Sequence, residues 1–316
     1  MSAFHGVIPP IITPYDRSGG IHSEALQRLI DWYAEAGCHG LWVCGGTGEG
    51  VLLSQLERDE MITLVNQYSA GRLTTIFHVA APTTAQAVAA ARRCQSEGLD
   101  AICSVPPYFY GKSTPEVVDY YKALADATDR PIFLYNLPDA SGLPLTLPLV
   151  EAIVNRVPSV IGIKQSAGVV DYVAQLLKFK PDLTVLIGRG ETTLAALTLG
   201  ATGVVCASLC MAPERFVAVY QAFQDGDLRR AMDAQRYASS VKDLYDAFPV
   251  IASTKWVNSQ QLGIDCGAPR APLAAIAPER EAALRQLADE LELLGPAVGR
   301  IAATEPVAAA AGTKPR

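Results

Sequence analysis

Lys164 closes the apolar run Val160-Ile161-Gly162-Ile163, a setting in which an ammonium is costly to desolvate. Such a site lowers the pKa of a lysine and frees the neutral amine to attack a carbonyl carbon. The alternative is a lysine whose head reaches solvent or pairs with a carboxylate at the strand end. Tyr135 ends an earlier apolar run, 29 residues before Lys164. That is the spacing of neighbouring strand–helix units, so the two side chains are expected to face one cavity. A phenol there relays a proton to and from a carbonyl adduct, or else it is a rim aromatic whose hydroxyl caps a backbone carbonyl. A third group, Gly45-Gly46-Thr47-Gly48-Glu49, offers closely spaced backbone N–H groups and the Thr47 hydroxyl, with glycines that let a ligand approach the chain. It reads as a carboxylate or phosphate cradle, or as a glycine-rich strand-to-helix turn. Glu49 is expected to fix the loop by accepting from backbone amides rather than to act as an acid.

These residues need elements to position them. Short apolar or β-branched runs at 6–12, 40–44, 75–79, 101–105, 132–135, 160–164, 184–187 and 203–208 alternate with segments of helical period. Helix starts are expected at Ser23, Ser54, Thr83 or Thr84, and Ser113 or Thr114, and helix ends at Gly37 and Gly98. Eight strand–helix units point to α/β architecture, a closed (β/α)8 TIM barrel, in which chemistry sits at the C-terminal ends of the strands. No GxGxxG follows the first strand, which weakens an open dinucleotide-binding sheet. Helical stretches at 213–224, 227–246, 249–262 and 278–294 exceed what one closing helix requires. With no Pro/Gly/Ser-rich linker before them, they predict a C-terminal helical layer from about 213 on a single domain, 1–295. The low-complexity stretch 296–316 reads as a disordered tail.

Composition narrows the function classes. Half of the 316 residues are hydrophobic and 18% are charged, which excludes disorder for most of the chain. No uninterrupted apolar run of about 20 residues occurs, and the first residues lack a basic region and an apolar signal core, so a soluble, cytoplasmic protein is expected. Lys and Arg number 26 against 32 Asp and Glu, a net charge of −6 without a basic block, so neither nucleic acid nor a membrane is an expected partner. Seven cysteines without CxxC spacing suggest reduced thiols acting as small hydrophobes. His5, His22, His39 and His78 form no HxxxH or HxH pair, and no metal or cofactor is expected.

Gly45-Gly46-Thr47-Gly48-Glu49, Pro106-Pro107-Tyr108, Tyr135-Asn136-Leu137-Pro138 and Gly162-Ile163-Lys164-Gln165-Ser166 occur in an order and spacing that resembles the dihydrodipicolinate synthase / N-acetylneuraminate lyase family of class I, pyruvate-type aldolases. The resemblance runs from about residue 5 to about residue 295. It implies a barrel with C-terminal helices, a homotetramer built as a dimer of dimers, and a lysine that forms a Schiff base with C2 of a small 2-oxo acid. By position, Lys164 is the imine-forming nucleophile and Tyr135 the proton-transfer phenol. Thr47, with the amides of Gly46 and Thr47, holds the 2-oxo acid carboxylate. A protonated imine is an electron sink for negative charge developing at C3, so C3–C4 bonds are made or broken without metal.

Departures from the family bear on substrate. Members that condense pyruvate with aspartate semialdehyde carry an arginine where this chain has Ala140, so the second substrate's carboxylate has lost its bidentate partner. This disfavours dihydrodipicolinate synthase, which remains the alternative within the class. The segments 138–142 and 164–166 resemble the sialic-acid lyase branch and its sugar-acid relatives, and Gly45–Glu49 is similar to the loop of the branch that dehydrates 4-deoxy-5-oxoglucarate. The expected activity is therefore aldol cleavage, condensation or dehydration of a 2-keto-3-deoxy sugar acid. The distal substrate contacts are expected at Ser166, Gly188, Glu191 and Ser208, with Arg189 either meeting a distal carboxylate or lying solvated. Many members also have a Ser or Thr at the position of Gly46 and, at that of Phe109, a tyrosine donated across a dimer. Both hydroxyls are missing here, which leaves Tyr108 or Tyr110 as substitutes and keeps a catalytically silent, 2-oxo-acid-binding barrel as a reading from another class.

Overall fold

A computed structural model of the chain describes residues 3–295; the expected tail at 296–316 lies outside the described residues. Eight parallel strands, β1 (Gly6–Val7), β2 (Gly40–Val43), β3 (Thr74–His78), β4 (Ala101–Ser104), β5 (Ile132–Asn136), β6 (Val160–Gln165), β7 (Thr184–Ile187) and β8 (Gly203–Val204), pair in the order β1-β8-β7-β6-β5-β4-β3-β2. The remaining gap is bridged by the N–H of His39 donating to the Val7 carbonyl at 2.8 Å and that of Trp42 to the Pro9 carbonyl at 2.9 Å. The sheet thus curves round into a (β/α)8 TIM barrel. Its strands are covered on both faces, which is why they read as nearly continuous apolar runs. Ile8, Trp42, Ile76, Cys103, Phe133 and Leu186 fill the barrel interior. The outward-facing strand residues pack under the surrounding helices.

β7 has the bounds expected from sequence, whereas β1 and β8 are much shorter than their apolar runs. Pro9 and Pro10 have no N–H to extend the ladder of β1. After Val204 the chain turns into a short 3₁₀ segment, Ala207–Cys210. Helix starts follow capping chemistry: Ser54 and Ser113 form capping boxes with Glu57 and Glu116, and the Thr83 side chain accepts from the Gln86 N–H. The first helix, Ser23–Glu35, is capped by the His22 imidazole, so Ser23 is its first residue and not its cap. Gly98 ends its helix in the left-handed conformation.

Beyond β8, Pro213–Gln224 closes the barrel, and Leu228–Ser239, Lys242–Ala247, Val250–Leu262 and Glu281–Glu290 form the C-terminal layer. The single helix expected over 227–246 is broken near Ser240, whose hydroxyl donates to the Tyr237 carbonyl at 2.8 Å in competition with the helical ladder. The layer has its own apolar core, including Met211, Val241, Leu244, Val257 and Leu284. All seven cysteines are buried and unbridged. Among the described residues no helix is long and apolar enough to cross a membrane, and no cluster of three or more His, Cys, Asp or Glu side chains is arranged to hold a metal ion.

Candidate active site

The ladder between β5 and β6 sets Tyr135 directly beside Lys164. Both side chains point into the barrel, because residues of one sign of alternation share the interior face. Lys164 is 4% exposed, and its Nζ donates to the Tyr135 hydroxyl at 3.2 Å. Nζ also lies 4.3 Å from the centroid of the Tyr135 ring and 4.8 Å from that of Trp42. These rings favour the ammonium. Burial opposes them and wins, pulling the Lys164 pKa down to about 8. Among the described residues no carboxylate contributes to the charge balance of this lysine. Burial also raises the Tyr135 phenol above its ordinary range, so it is a protonated donor at neutral pH.

Trp42 and His78 meet the Tyr135 ring edge-on, at centroid distances of 5.4 and 5.7 Å. His78 spans two strand ends: its Nδ1 faces the Cys44 carbonyl at 3.2 Å, and its Nε2 accepts from the Val105 N–H at 3.4 Å. Burial holds this imidazole neutral, with a pKa lowered to about 3. The side chains of Asn136 and Gln165, one residue beyond Tyr135 and Lys164, bond to each other at 2.6 Å and lock the two strand ends in register.

The 45–49 loop stands above this pair. Gly46 is exposed and Thr47 half-buried, and the loop's own bonds run from the Glu49 N–H to Gly46 and from the Gly50 N–H to Gly45. Gly50 admits no side chain, since a Cβ there would collide with the Cys44 carbonyl. Glu49, in the left-handed conformation at φ 55°, is held by two partners from the far end of the chain. Its Oε1 pairs with Lys255 Nζ at 2.6 Å and its Oε2 accepts from the Arg270 backbone N–H at 2.6 Å. Arg270 in turn makes a two-pronged pair with Glu57, at 2.6 and 2.8 Å, which holds the Glu57 carboxyl down to about 2. Glu49 therefore fixes the loop, as expected, but chiefly through the C-terminal layer.

Of the remaining expected site residues, Ser166 follows β6 directly, its N–H donating to the Asn136 carbonyl at 3.0 Å. Gly188 lies against it: a Cβ at Gly188 would collide with Ser166 Oγ. Glu191 pairs with Arg189 at 3.1 Å, so neither charge stands alone. Its turn packs against the 3₁₀ turn that carries the buried Ser208. Phe109 is 87% and Tyr110 72% exposed at the mouth, where they and residues 139–143 border a cleft of about 270 Å³ that includes Ala140. Tyr108 is half-buried against the barrel interior. Sequence reasoning assigned no role to Trp42, His78, Lys255 or Arg270. His78 ends an apolar strand as Lys164 does, a signal that could have found it. The two C-terminal cations carry no local signal.

The model of the dihydrodipicolinate synthetase family matches residues 3–291. A DapA-like lyase of Halobacterium salinarum is 31% identical over 290 residues, covering 92% of this chain and 95% of its own. The N-acetylneuraminate lyase of Salmonella agona is likewise 31% identical, over 92% of this chain and 97% of its own. Among solved structures, a prophage protein of the dihydrodipicolinic acid synthase family from E. coli K12, in complex with pyruvate, superposes with a TM-score of 0.87 at 25% identity, covering 92% of this chain and 99% of its own. The chain belongs to the dihydrodipicolinate synthetase family and is a lyase of the dihydrodipicolinate synthase / N-acetylneuraminate lyase class.

Proposed function

We propose that this lyase works through a Schiff base between Lys164 and C2 of a 2-oxo acid, and that its substrate is a 2-keto-3-deoxy sugar acid cleaved or dehydrated with pyruvate-type chemistry. The observation that carries this reading is Lys164 itself, buried on the barrel axis without a carboxylate partner, brought to about 8 by desolvation and 3.2 Å from a phenol. A neutral amine in that position attacks the C2 carbonyl carbon, and Tyr135 supplies the proton that lets the carbinolamine oxygen depart as water. The rings of Trp42 and Tyr135 that face the ammonium then face the protonated imine nitrogen. Thr47, with the amides of Gly46 and Thr47, holds the carboxylate of the 2-oxo acid. Ser166, Gly188, Glu191 and Ser208 border its distal part.

Ala140 at the mouth cleft supports a sugar acid over aspartate semialdehyde, since no guanidinium stands there for a second carboxylate. A homotetramer, read from the family, is part of the proposal. The test is incubation with pyruvate and borohydride, followed by intact mass and peptide mapping. A reduced pyruvyl adduct on Lys164 is expected. A folded protein that takes up no adduct refutes pyruvate as the imine partner.

A further inference from the structure

Lys164 Nζ sits in a corner made by two rings. It lies 4.8 Å from the centroid of Trp42 and 4.3 Å from that of Tyr135, and the rings meet at 81° with centroids 5.4 Å apart. Tyr135 brings a hydroxyl to this corner, whereas Trp42 brings only its face. The indole is wholly buried, and among the described residues its Nε1 has no hydrogen-bond partner. A buried N–H without an acceptor is costly, and a leucine or phenylalanine would fill the barrel interior without that cost. What the indole offers beyond either is the side-chain face that attracts a cation most strongly. Its neighbours hold that face in place. The Phe133 ring meets Trp42 at 76°, with centroids 6.4 Å apart, and Gly162 leaves the room that Phe133 occupies, since a Cβ there would stand 2.4 Å from its ring. A Cβ at Gly45 would come within 2.9 Å of the indole Nε1 and Cδ1. Two glycines beside the site, one on β6 and one at the end of β2, therefore make room for the indole and its brace.

We infer that Trp42 is a catalytic residue, whose indole face carries the positive charge that appears on the Lys164 nitrogen when the neutral amine becomes a protonated imine. This deepens the Schiff-base reading and rests on it. In that conversion the amine nitrogen bonds to C2 and gives one proton to the carbonyl oxygen. The resulting carbinolamine hydroxyl takes the Tyr135 proton and leaves as water, so the nitrogen keeps one proton and a positive charge and the phenol becomes a phenolate. Burial makes that new charge expensive, and the ring facing it offsets part of the cost. The contribution has a pH signature. Below the Lys164 pKa of about 8 the resting lysine is already an ammonium, so the ring stabilises the free enzyme and the imine alike. Above it the resting amine is neutral, and only the imine gains.

The test is the half-saturating pyruvate concentration for borohydride trapping, measured on the full chain at pH 6.5 and at pH 9. Tryptophans carrying one, two or three ring fluorines are placed at position 42 alone by nonsense suppression, because fluorine drains the ring face of charge with little change in size. At pH 9 half-saturation is expected to rise with each fluorine, and in Trp42→Leu by about tenfold, the worth of a desolvated cation–π contact. At pH 6.5 the rise is expected to stay within about twofold, and the pH midpoint of trapping to move down by about one unit in Trp42→Leu. Should Trp42→Leu fail to fold, the nearly isosteric fluorinated series still decides. An equal rise at both pH values means lost packing and overturns the inference. So does half-saturation at pH 9 that ignores the number of fluorines. Absence of any trapped adduct in the unaltered protein instead refutes the Schiff-base reading, and this inference falls with it.

Discussion

Lys164 and Lys255 are both sealed from water, at 4% and 1% exposure, and desolvation lowers the pKa of both. Their surroundings are opposite. Lys255, on the helix Val250–Leu262, ion-pairs with Glu49 and donates to the Ala268 carbonyl at 3.2 Å. Lys164 faces two aromatic rings and a phenol, with no carboxylate to stabilise its charge. Burial by itself therefore does not mark a reactive lysine. A buried lysine paired with a carboxylate is an architectural clamp, whereas one left among rings and hydroxyls is poised to shed its proton.

Removing each amine in turn should separate the two roles most strongly. Lys164→Met should reduce turnover and adduct formation to background. Its thermal midpoint should not fall, because the methionine relieves a desolvated charge. The sign follows from the lowered pKa: the folded protein bears the cost of this ammonium at every pH below about 8, and the cost fades as pH rises toward the unfolded value. Any gain in stability should therefore be larger at pH 7 than at pH 10, and kcat/KM of the unaltered enzyme should rise with pH and level off above about 8. Lys255→Met should do the reverse, costing about 3–5 kcal/mol in urea denaturation because Glu49 is left buried and unpaired. Adding Glu49→Gln should recover part of that loss. A Lys255→Met protein as stable as the parent would remove the clamp.

Smaller effects are expected among the neighbours of the reactive lysine. Tyr135→Phe should still yield the borohydride adduct while turnover falls by about 10²-fold, the contribution of a positioned acid–base group. Full turnover in that variant would take the phenol out of the mechanism. His78, buried neutral behind Tyr135, has its pKa lowered to about 3, so stability should decline as pH drops below the ordinary histidine range toward that value. His78→Gln should flatten that decline in a pH series of urea midpoints. Least of all, Arg189→Ala breaks a part-exposed pair with Glu191 and should change stability by less than about 1 kcal/mol.

Much of the fold was legible because strand and helix periods are local properties. The alternation of apolar runs with capped helices counted eight units, and the 29-residue offset between Tyr135 and Lys164 sufficed to place them side by side on neighbouring strands. The ends of β1 and β8 were not legible, since apolar content does not reveal where prolines and a 3₁₀ turn stop the ladder. Glu191 read as a distal substrate contact; its carboxylate is shared with Arg189, a pairing between loop residues that no periodicity encodes.

The barrel, the lysine at the end of β6 and its neighbouring phenol were written in the order of residues alone, because the side-chain alternation of a strand fixes which residues face inward. Folding in three dimensions settled which of the two buried lysines was paired with a carboxylate. Glu49 and Lys255, or Glu57 and Arg270, lie more than two hundred residues apart, and they meet because the barrel closes and the C-terminal layer folds back over its mouth. Desolvation and charge pairing depend on that closure, and local pattern carries no record of it.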